Sequence, residues 1–166
     1  MKSFSVAESS KKINISLCSF SIFLLTLRIL KSLHAFCCLI SMQKILILDD
    51  DLDLLTVVKS LLRKKGFEVF AFSDWRKAWE AVRTYKPQLI LLDVFLSGID
   101  GLDICKKLKS SIFTRNIPVI MFSSYPNIAE TAIYEYGADD FIPKPFEVND
   151  MVKRIRHLLA KTHASA

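Results

Sequence analysis

The stretch Leu89–Gly101, LILLDVFLSGIDG, decides the fold of this chain. It begins with four consecutive apolar residues, a pattern typical of a strand that is buried on both faces of a parallel sheet. Asp93 follows directly, and a turn that contains Gly98 comes after it. Ligands bind at the carboxyl ends of parallel strands, so Asp93 is a candidate site residue. A lone Asp at a strand end is a weak signal, and the prediction of a site depends on the residues that follow the other strands.

Four more strands are predicted around that stretch, alternating with amphipathic segments. With Leu89–Leu92 as the third, the five strands are Lys44–Leu48, Phe67–Phe72, Leu89–Leu92, Val119–Phe122 and Asp140–Ile142. Apolar residues at helical spacing predict five helices, of which the first should end at Gly66 and the fourth at Gly137. The fold class is therefore α/β, a doubly wound parallel sheet with helices on both faces.

Residues 1–41 differ in composition from the rest and form a predicted N-terminal apolar extension. They carry five Lys or Arg against one Glu, and their longest uncharged apolar run, Ile13–Leu27, has 15 residues. That run is shorter than the ~18–20 residues that cross a bilayer comfortably. Three interpretations stay open for residues 13–40: a membrane anchor, a signal peptide, or a translation start at Met42, which we favour. Residues 42–166 should form one domain.

Charge and cysteine content narrow the function classes of that domain. Residues 42–166 carry 18 Lys or Arg against 16 Asp or Glu, so a broad nucleic-acid-binding face is not expected. Cys105 is the single cysteine of residues 42–166, which excludes a disulfide framework and a Cys-x-x-Cys metal site there. A reducing, cytoplasmic location is expected.

Polar residues follow the predicted strands at the edge where their carboxyl ends meet: Asp49, Asp50, Asp51, Asp93, Ser123 and Lys144. Carboxylates about 4 Å apart repel by ~4 kcal/mol per pair at an effective dielectric constant near 20, so such a cluster requires cations. Lys144 supplies one, and a set of oxygen ligands favours Mg²⁺ as another. Taken alone, the acidic run also fits a helix start, with Asp51 or Asp53 accepting hydrogen bonds from free amides.

Four motifs, in their order and spacing, resemble the receiver domain of two-component response regulators, in its stand-alone form. They are KILILDDD, LILLDVFLSGIDG, PVIMFSSY and GADDFIPKPF, and the resemblance covers Met42 to about Ala160. It implies a flavodoxin-like fold, with a five-stranded parallel sheet in the order 2-1-3-4-5 between five helices. It also implies a phosphorylation-dependent signalling switch that catalyses only its own phosphorylation and dephosphorylation.

The resemblance implies roles for the acidic residues. Asp93 matches the phosphoacceptor, which takes a phosphoryl group from a sensor histidine kinase or a histidine phosphotransfer protein. Asp50 matches the direct Mg²⁺ ligand and Asp49 the acid that often acts through water. Asp93 and the backbone carbonyl of Phe95 are expected to complete the protein ligands of the metal.

The resemblance also implies roles for three residues of the last two strands. Lys144 matches the lysine that pairs with a phosphoryl oxygen, and its bond to Pro145 is expected to be cis. Ser123 matches the residue whose hydroxyl binds the phosphoryl group, and Phe141 the aromatic that turns inward when Ser123 moves. Phosphorylation should thereby change the face formed by the fourth helix, fifth strand and fifth helix.

Three positions depart from the usual pattern of the family. Ser97 stands where proline is usual, which loosens the loop after Asp93. Phe95 is bulky and lies near the path of attacking water, so we expect its ring to slow hydrolysis of the phosphorylated state. Phe141 has no hydroxyl group, so packing alone must distinguish its inward and outward positions.

Two other functions stay open. One is a receiver that acts as a constitutive binding module without phosphorylation, although no active group is missing. The other is a haloacid-dehalogenase-type phosphatase, because Asp51-Leu52-Asp53 is faintly similar to its D-x-D motif; its cap module is missing. No helix-turn-helix follows the receiver, so no direct nucleic-acid binding is expected. A membrane partner depends on residues 13–40, and a homodimer formed on phosphorylation stays open.

Overall fold

A computed structural model describes residues 42–164, so the predicted extension and its three interpretations lie outside the described residues. The strands are β1 (Lys44–Leu48), β2 (Glu68–Phe72), β3 (Leu89–Asp93), β4 (Phe95–Leu96), β5 (Ile99–Asp100), β6 (Val119–Ser123) and β7 (Asp140–Pro143). The α-helices are α1 (Leu52–Lys64), α2 (Trp75–Tyr85), α3 (Gly101–Ser110), α4 (Ala129–Tyr134) and α5 (Val148–Ala164). Within residues 42–164, none of the helices is both long and apolar enough to cross a membrane.

Five of these strands form a parallel sheet in the order β2-β1-β3-β6-β7. The short strands β4 and β5 pair with each other as a separate antiparallel hairpin. The order is therefore the predicted 2-1-3-4-5 once the hairpin is set aside, and the flavodoxin-like fold class is confirmed. After β1 the chain forms β2 on one side of β1, and it then returns to form β3 on the other side of β1. The carboxyl ends of β1 and β3 thus flank the point where strand order reverses, which is where ligands bind in such sheets.

Two apolar layers hold the sheet between the helices. One side packs against α2, α3 and α4, and the other against α1 and α5. Successive residues of β3 alternate between the layers, with Ile90 and Leu92 on the first side and Leu89 and Leu91 on the second. Each such fully buried side chain contributes about 1.5–3 kcal/mol to folding, which fixes the register that positions Asp93.

The start of α1 explains part of the acidic run. The Asp51 side chain accepts hydrogen bonds from the backbone N–H groups of Asp53 and Leu54, as an N-cap does. The helix-start interpretation is therefore confirmed for Asp51. Gly66, with φ of 91°, lies just beyond the helix, as predicted.

The fourth helix is shorter than predicted. It ends at Tyr134, three positions before Gly137, and a 3-10 turn at Pro126–Ile128 precedes it. The residues after Tyr134 close the helix instead of extending it, because the Ala138 N–H donates to the Ala132 carbonyl over 2.9 Å. Gly137, at φ of 77°, lies within this closing turn.

Candidate functional site

Three aspartates meet at the carboxyl ends of β1 and β3. One carboxylate oxygen each of Asp49, Asp50 and Asp93 lies within 4.8 Å of the other two. Asp49 and Asp93 are buried, whereas Asp50 is exposed. We call these three residues and Lys144 the acidic pocket. The predicted convergence of distant strand ends is thus present in the structure.

Lys144 reaches the pocket from the loop after β7. Its Nζ donates hydrogen bonds to Asp49 Oδ2 over 2.7 Å and to Asp93 Oδ1 over 2.8 Å. Its backbone N–H donates to the Ser123 carbonyl over 2.8 Å, which fixes the loop to the end of β6. The Lys144–Pro145 peptide bond is cis, which confirms that prediction.

The electrostatics of the pocket reflect one cation shared by two buried carboxylates. Burial raises the pKa of the Asp93 carboxyl, and the hydrogen bond and charge of Lys144 offset this only in part. Burial lowers the pKa of Lys144, but its hydrogen bonds to Asp49 and Asp93 outweigh this and leave that pKa raised. Lys144 therefore stays protonated, while the pocket as a whole retains excess negative charge.

The donor set of the pocket fits Mg²⁺. All its candidate ligand atoms are carboxylate oxygens, which suit a hard cation that keeps several waters. Asp49 has both oxygens in hydrogen bonds, because Oδ1 accepts from the Asp51 N–H over 2.8 Å and Oδ2 from Lys144. That Asp49 acts on the metal through water stays a prediction. Asp50 accepts one side-chain hydrogen bond, on Oδ2.

The hairpin β4–β5 and the first residue of α3 each place one further residue at the pocket, and the sequence analysis missed the role of both. The Ser97 hydroxyl donates to Asp50 Oδ2 over 2.7 Å. Gly101 comes so close to the loop after Asp93 that a Cβ on it would lie 2.0 Å from the Asp93 carbonyl oxygen. Any other residue at Gly101 would displace that loop. Two features of the sequence could have indicated these roles. One is the serine at a position where proline is usual, and the other is the glycine directly after Asp100, which caps α3.

Phe95 lies beside the phosphoacceptor candidate. Its backbone N–H donates to Asp93 Oδ2 over 2.9 Å, which orients the carboxylate. Its ring is 51% exposed and meets the edge of Tyr125, with 5.0 Å between the ring centroids. The backbone of Phe95 therefore orients Asp93, while its ring packs against that of Tyr125. That the Phe95 carbonyl binds metal stays a prediction.

Ser123 and Phe141 lie on the two strands beyond Asp93. Ser123 is buried one position past Phe122, which pairs with Asp93, and its Oγ accepts from the Tyr125 N–H over 3.2 Å. Phe141 is 6% exposed and packs in the layer under α2, α3 and α4. The structure shows its inward position, and its movement stays a prediction.

The D-x-D pair lies outside the cluster. Asp51 caps α1, and Asp53 is exposed in the first turn of that helix. Both residues therefore serve the helix start, and the pocket draws its acids from Asp49, Asp50 and Asp93.

The chain is similar to known signalling proteins over most of the described residues. A family model described as the response regulator receiver domain matches residues 45–156. The DNA-binding response regulator MtrA of Mycolicibacterium paratuberculosis is 35% identical over 120 residues, which cover 72% of this chain and 52% of that protein. The alkaline phosphatase synthesis transcriptional regulatory protein PhoP of Bacillus subtilis is 31% identical over 125 residues, or 75% of this chain and 51% of PhoP.

A solved structure supports the fold alone. The crystal structure of a CheY-like response regulator receiver domain protein from Methanospirillum hungatei has a TM-score of 0.69 to this chain at 24% identity. The match covers 76% of this chain and all of that one.

One expectation about partners is wrong. The curated relatives include proteins named as DNA-binding regulators, which contradicts a set of partners without nucleic acid. The chain spans about half the length of the curated relatives that it matches. The expectation rested on the lack of a helix-turn-helix in the sequence after the receiver. That short sequence carries no information about the half of each relative that lies outside the match.

Proposed function

Since the chain belongs to the response regulator receiver family of two-component systems, we propose that Asp93 is its phosphoacceptor and that phosphorylation there switches its contacts with other proteins. One observation carries the proposal. Three aspartates from two separate strands and Lys144 from a third chain segment meet at the point where strand order reverses. Each residue alone could serve a structural role. Phosphoryl transfer, however, would explain why all four converge on one point.

The proposed step transfers a phosphoryl group from a phosphohistidine of a histidine kinase or phosphotransfer protein. A carboxylate oxygen of Asp93 forms the new bond to phosphorus as the bond from phosphorus to the imidazole nitrogen breaks in line. The electron pair of the broken bond stays on the imidazole. Asp93 must be ionised to attack, and the N–H of Phe95 and the ammonium of Lys144 favour that form.

Lys144 is placed to accompany the transferred group. Its Nζ already donates to Asp93 Oδ1, so it lies within reach of an oxygen on a phosphoryl group attached to that carboxylate. Negative charge spreads over those oxygens during transfer, and a fixed ammonium in a buried pocket offsets part of it. Ser123, on the neighbouring strand, is proposed to donate its hydroxyl to another of these oxygens.

Asp50, Asp93 and the Phe95 backbone carbonyl would hold Mg²⁺, with Asp49 acting through water. When bound, Mg²⁺ would offset the negative charge on the phosphoryl oxygens. The shared cation described above supports this assignment, because Lys144 alone compensates one of the charges of Asp49, Asp50 and Asp93. We propose no turnover of an external substrate, so the chain acts chemically on itself alone.

The decisive test uses the full chain with Mg²⁺ and acetyl phosphate, followed by intact mass. We expect wild type and the control Asp53→Asn, an exposed acid of the same run, to gain one phosphoryl group. Asp93→Asn should gain none, and wild type in excess EDTA should gain none. An adduct on Asp93→Asn at the wild-type level would reject Asp93 as the acceptor. A wild type without any adduct would favour the constitutive binding module.

A further inference from the structure

A second concave surface lies at the amino ends of the sheet strands, whereas the acidic pocket lies at their carboxyl ends. It is a cavity of about 690 Å³ between the end of α2 and the loop that joins α3 to β6. Its main lining residues are Trp79, Val82, Arg83, Lys86, Phe113 and Ile117, which we call the basic groove. Lys86 precedes β3 and Ile117 precedes β6, so the groove lies at the amino ends of β3 and β6, whereas the pocket lies at the carboxyl ends of β1 and β3.

The groove exposes apolar surface that the fold itself leaves uncovered. Phe113 is 91% exposed, and its neighbour Ile112 is 69% exposed. Val82 at the base is buried, and Trp79 is half-buried against the α2 side of the core. Two aromatic side chains, one fully exposed, thus line one concave surface. Concentrated apolar exposure of this kind marks interaction sites.

The cations of the groove have no ion-pair or hydrogen-bond partner among residues 42–164. Among the described lining residues, Arg83 and Lys86 are the charged ones and none is a carboxylate. The side chain of neither residue forms an ion pair or a hydrogen bond to any residue in the range 42–164. The segment Trp75–Lys86 carries four Lys or Arg against Glu80 alone. A ligand of the groove should therefore be acidic.

The groove continues along α2, which favours an extended ligand over a compact one. A neighbouring cavity of about 290 Å³ shares Trp79 and Ser111 with it and is also lined by Trp75 and Lys107. The continuation adds one more cation and a second tryptophan, and none of its lining residues within 42–164 is a carboxylate. Apolar side chains and cations therefore line both cavities. A peptide segment with apolar anchors and carboxylates matches this composition.

We propose that the basic groove binds an acidic segment of a partner protein, which inserts an apolar side chain between Trp79 and Phe113 and pairs its carboxylates with Arg83 and Lys86. This surface is separate from the phosphorylation chemistry, so the proposal does not rest on the proposed function. Phosphate backbones need cations but not the apolar lining that Val82, Phe113 and Ile117 provide, which is why a peptide fits better than a nucleic acid.

The test selects a phage-displayed library of random peptides against the full chain, with counter-selection against Arg83→Glu/Lys86→Glu. We expect the enriched peptides to contain more Asp and Glu than the input library, together with a leucine or an aromatic residue. Binding of a synthetic enriched peptide should weaken at least about tenfold in Arg83→Glu/Lys86→Glu and in Phe113→Ser. Lys153→Glu, which reverses an exposed charge on α5, is the matched control and should bind like wild type.

Several outcomes of this experiment would contradict the proposal. Failure to enrich any sequence, or enrichment without a gain in acidic residues, would overturn it. So would equal binding to wild type and Arg83→Glu/Lys86→Glu when circular dichroism shows both to be folded. A single-stranded oligonucleotide that outcompetes the enriched peptide would assign the groove to nucleic acid instead. Asp93→Asn should bind the peptide as wild type does, which separates this test from that of phosphorylation.

Discussion

The acidic pocket lies at the carboxyl ends of the sheet strands and the basic groove at their amino ends. The charged side chains of the two regions differ in their partners. In the pocket, Lys144 donates to two buried carboxylates at 2.7 and 2.8 Å. In the groove, Arg83 and Lys86 are exposed and make no side-chain ion pair with any residue of 42–164. Charges in the pocket therefore depend on one another, whereas those in the groove are available to a partner. A charge in the pocket therefore contributes to folding, and a charge in the groove is free to serve the proposed recognition of a partner.

Removal of one lysine from each region should give the largest contrast. Lys144→Met leaves Asp49 and Asp93 buried without a cation, which is expected to cost about 3–5 kcal/mol of unfolding free energy. Lys86→Met removes an exposed charge with no partner and should change stability by less than about 0.5 kcal/mol. Urea unfolding in EDTA measures both. Equal losses in the two variants would show that the two regions do not differ in this way.

Mg²⁺ gives an internal control for that experiment. Because Mg²⁺ would bind the folded pocket, it should restore part of the stability of Lys144→Met and leave the difference between Lys86→Met and wild type unchanged. A loss in Lys144→Met that does not respond to Mg²⁺ would contradict a shared role of the two cations.

The fold and the core of the pocket could be predicted from sequence because they depend on periodicity. Apolar runs place the five sheet strands within one residue of their observed bounds, and parallel strands bring their carboxyl ends together whatever the loops do. Asp49, Asp93 and Lys144 follow those strands, so their convergence follows from the topology. Similarity to known receivers supplied the roles of these residues, which spacing alone did not.

What was missed depends on loop conformation and on exposure. The contact from Ser97 to Asp50 joins residues 47 positions apart through a hairpin of two-residue strands, too short to show a period. Phe113 reads as an ordinary apolar residue in the sequence, and its 91% exposure is a property of the folded loop. The early end of α4 at Tyr134 likewise depends on one closing hydrogen bond.

The serine in the pocket should have the next largest effect. Ser97 holds the exposed Asp50 carboxylate through a 2.7 Å hydrogen bond, and loss of such an orienting contact costs on the order of tenfold in metal affinity. We expect Ser97→Ala to bind Mg²⁺ about tenfold more weakly by calorimetry, and Ser97→Thr to stay near wild type. Ser111→Ala, in the groove, should bind Mg²⁺ normally. Wild-type affinity in Ser97→Ala would mean that Asp50 needs no support from the hairpin.

Each of the two regions has one exposed phenylalanine, Phe95 at the pocket and Phe113 in the groove. The backbone N–H of Phe95 donates to Asp93 Oδ2, and its exposed ring lies two residues beyond that acid. We expect Phe95→Asn to open a path for water and to speed loss of the phosphoryl group by roughly fivefold, equal to about 1 kcal/mol of barrier. Phe113→Asn removes a ring at the far edge of the sheet and should leave the rate unchanged. Intact mass over time after removal of acetyl phosphate measures both rates. An equal or slower rate in Phe95→Asn would reject shielding by its ring.

The smallest expected effect concerns the dependence of stability on pH. Burial raises the pKa of Asp93 in the folded state, so the folded chain holds this proton more tightly than the unfolded chain does. The contribution of Asp93 to stability is therefore greatest below its unfolded pKa, near 3.9, and is lost as pH rises through the folded pKa. Asp93→Asn removes this loss. Its unfolding free energy, relative to wild type, should thus rise between pH 4 and pH 7 in EDTA.

An acid beside the groove is the control for this last effect. Glu80→Gln changes an exposed carboxylate in the middle of α2, and its stability relative to wild type should vary by less than about 0.5 kcal/mol over the same range of pH. If Asp93→Asn instead loses stability relative to wild type as pH rises, then Lys144 and the N–H of Phe95 compensate the Asp93 carboxylate more than burial penalises it. The pocket would then be balanced without Mg²⁺, and its excess of negative charge would no longer explain why it should bind a metal.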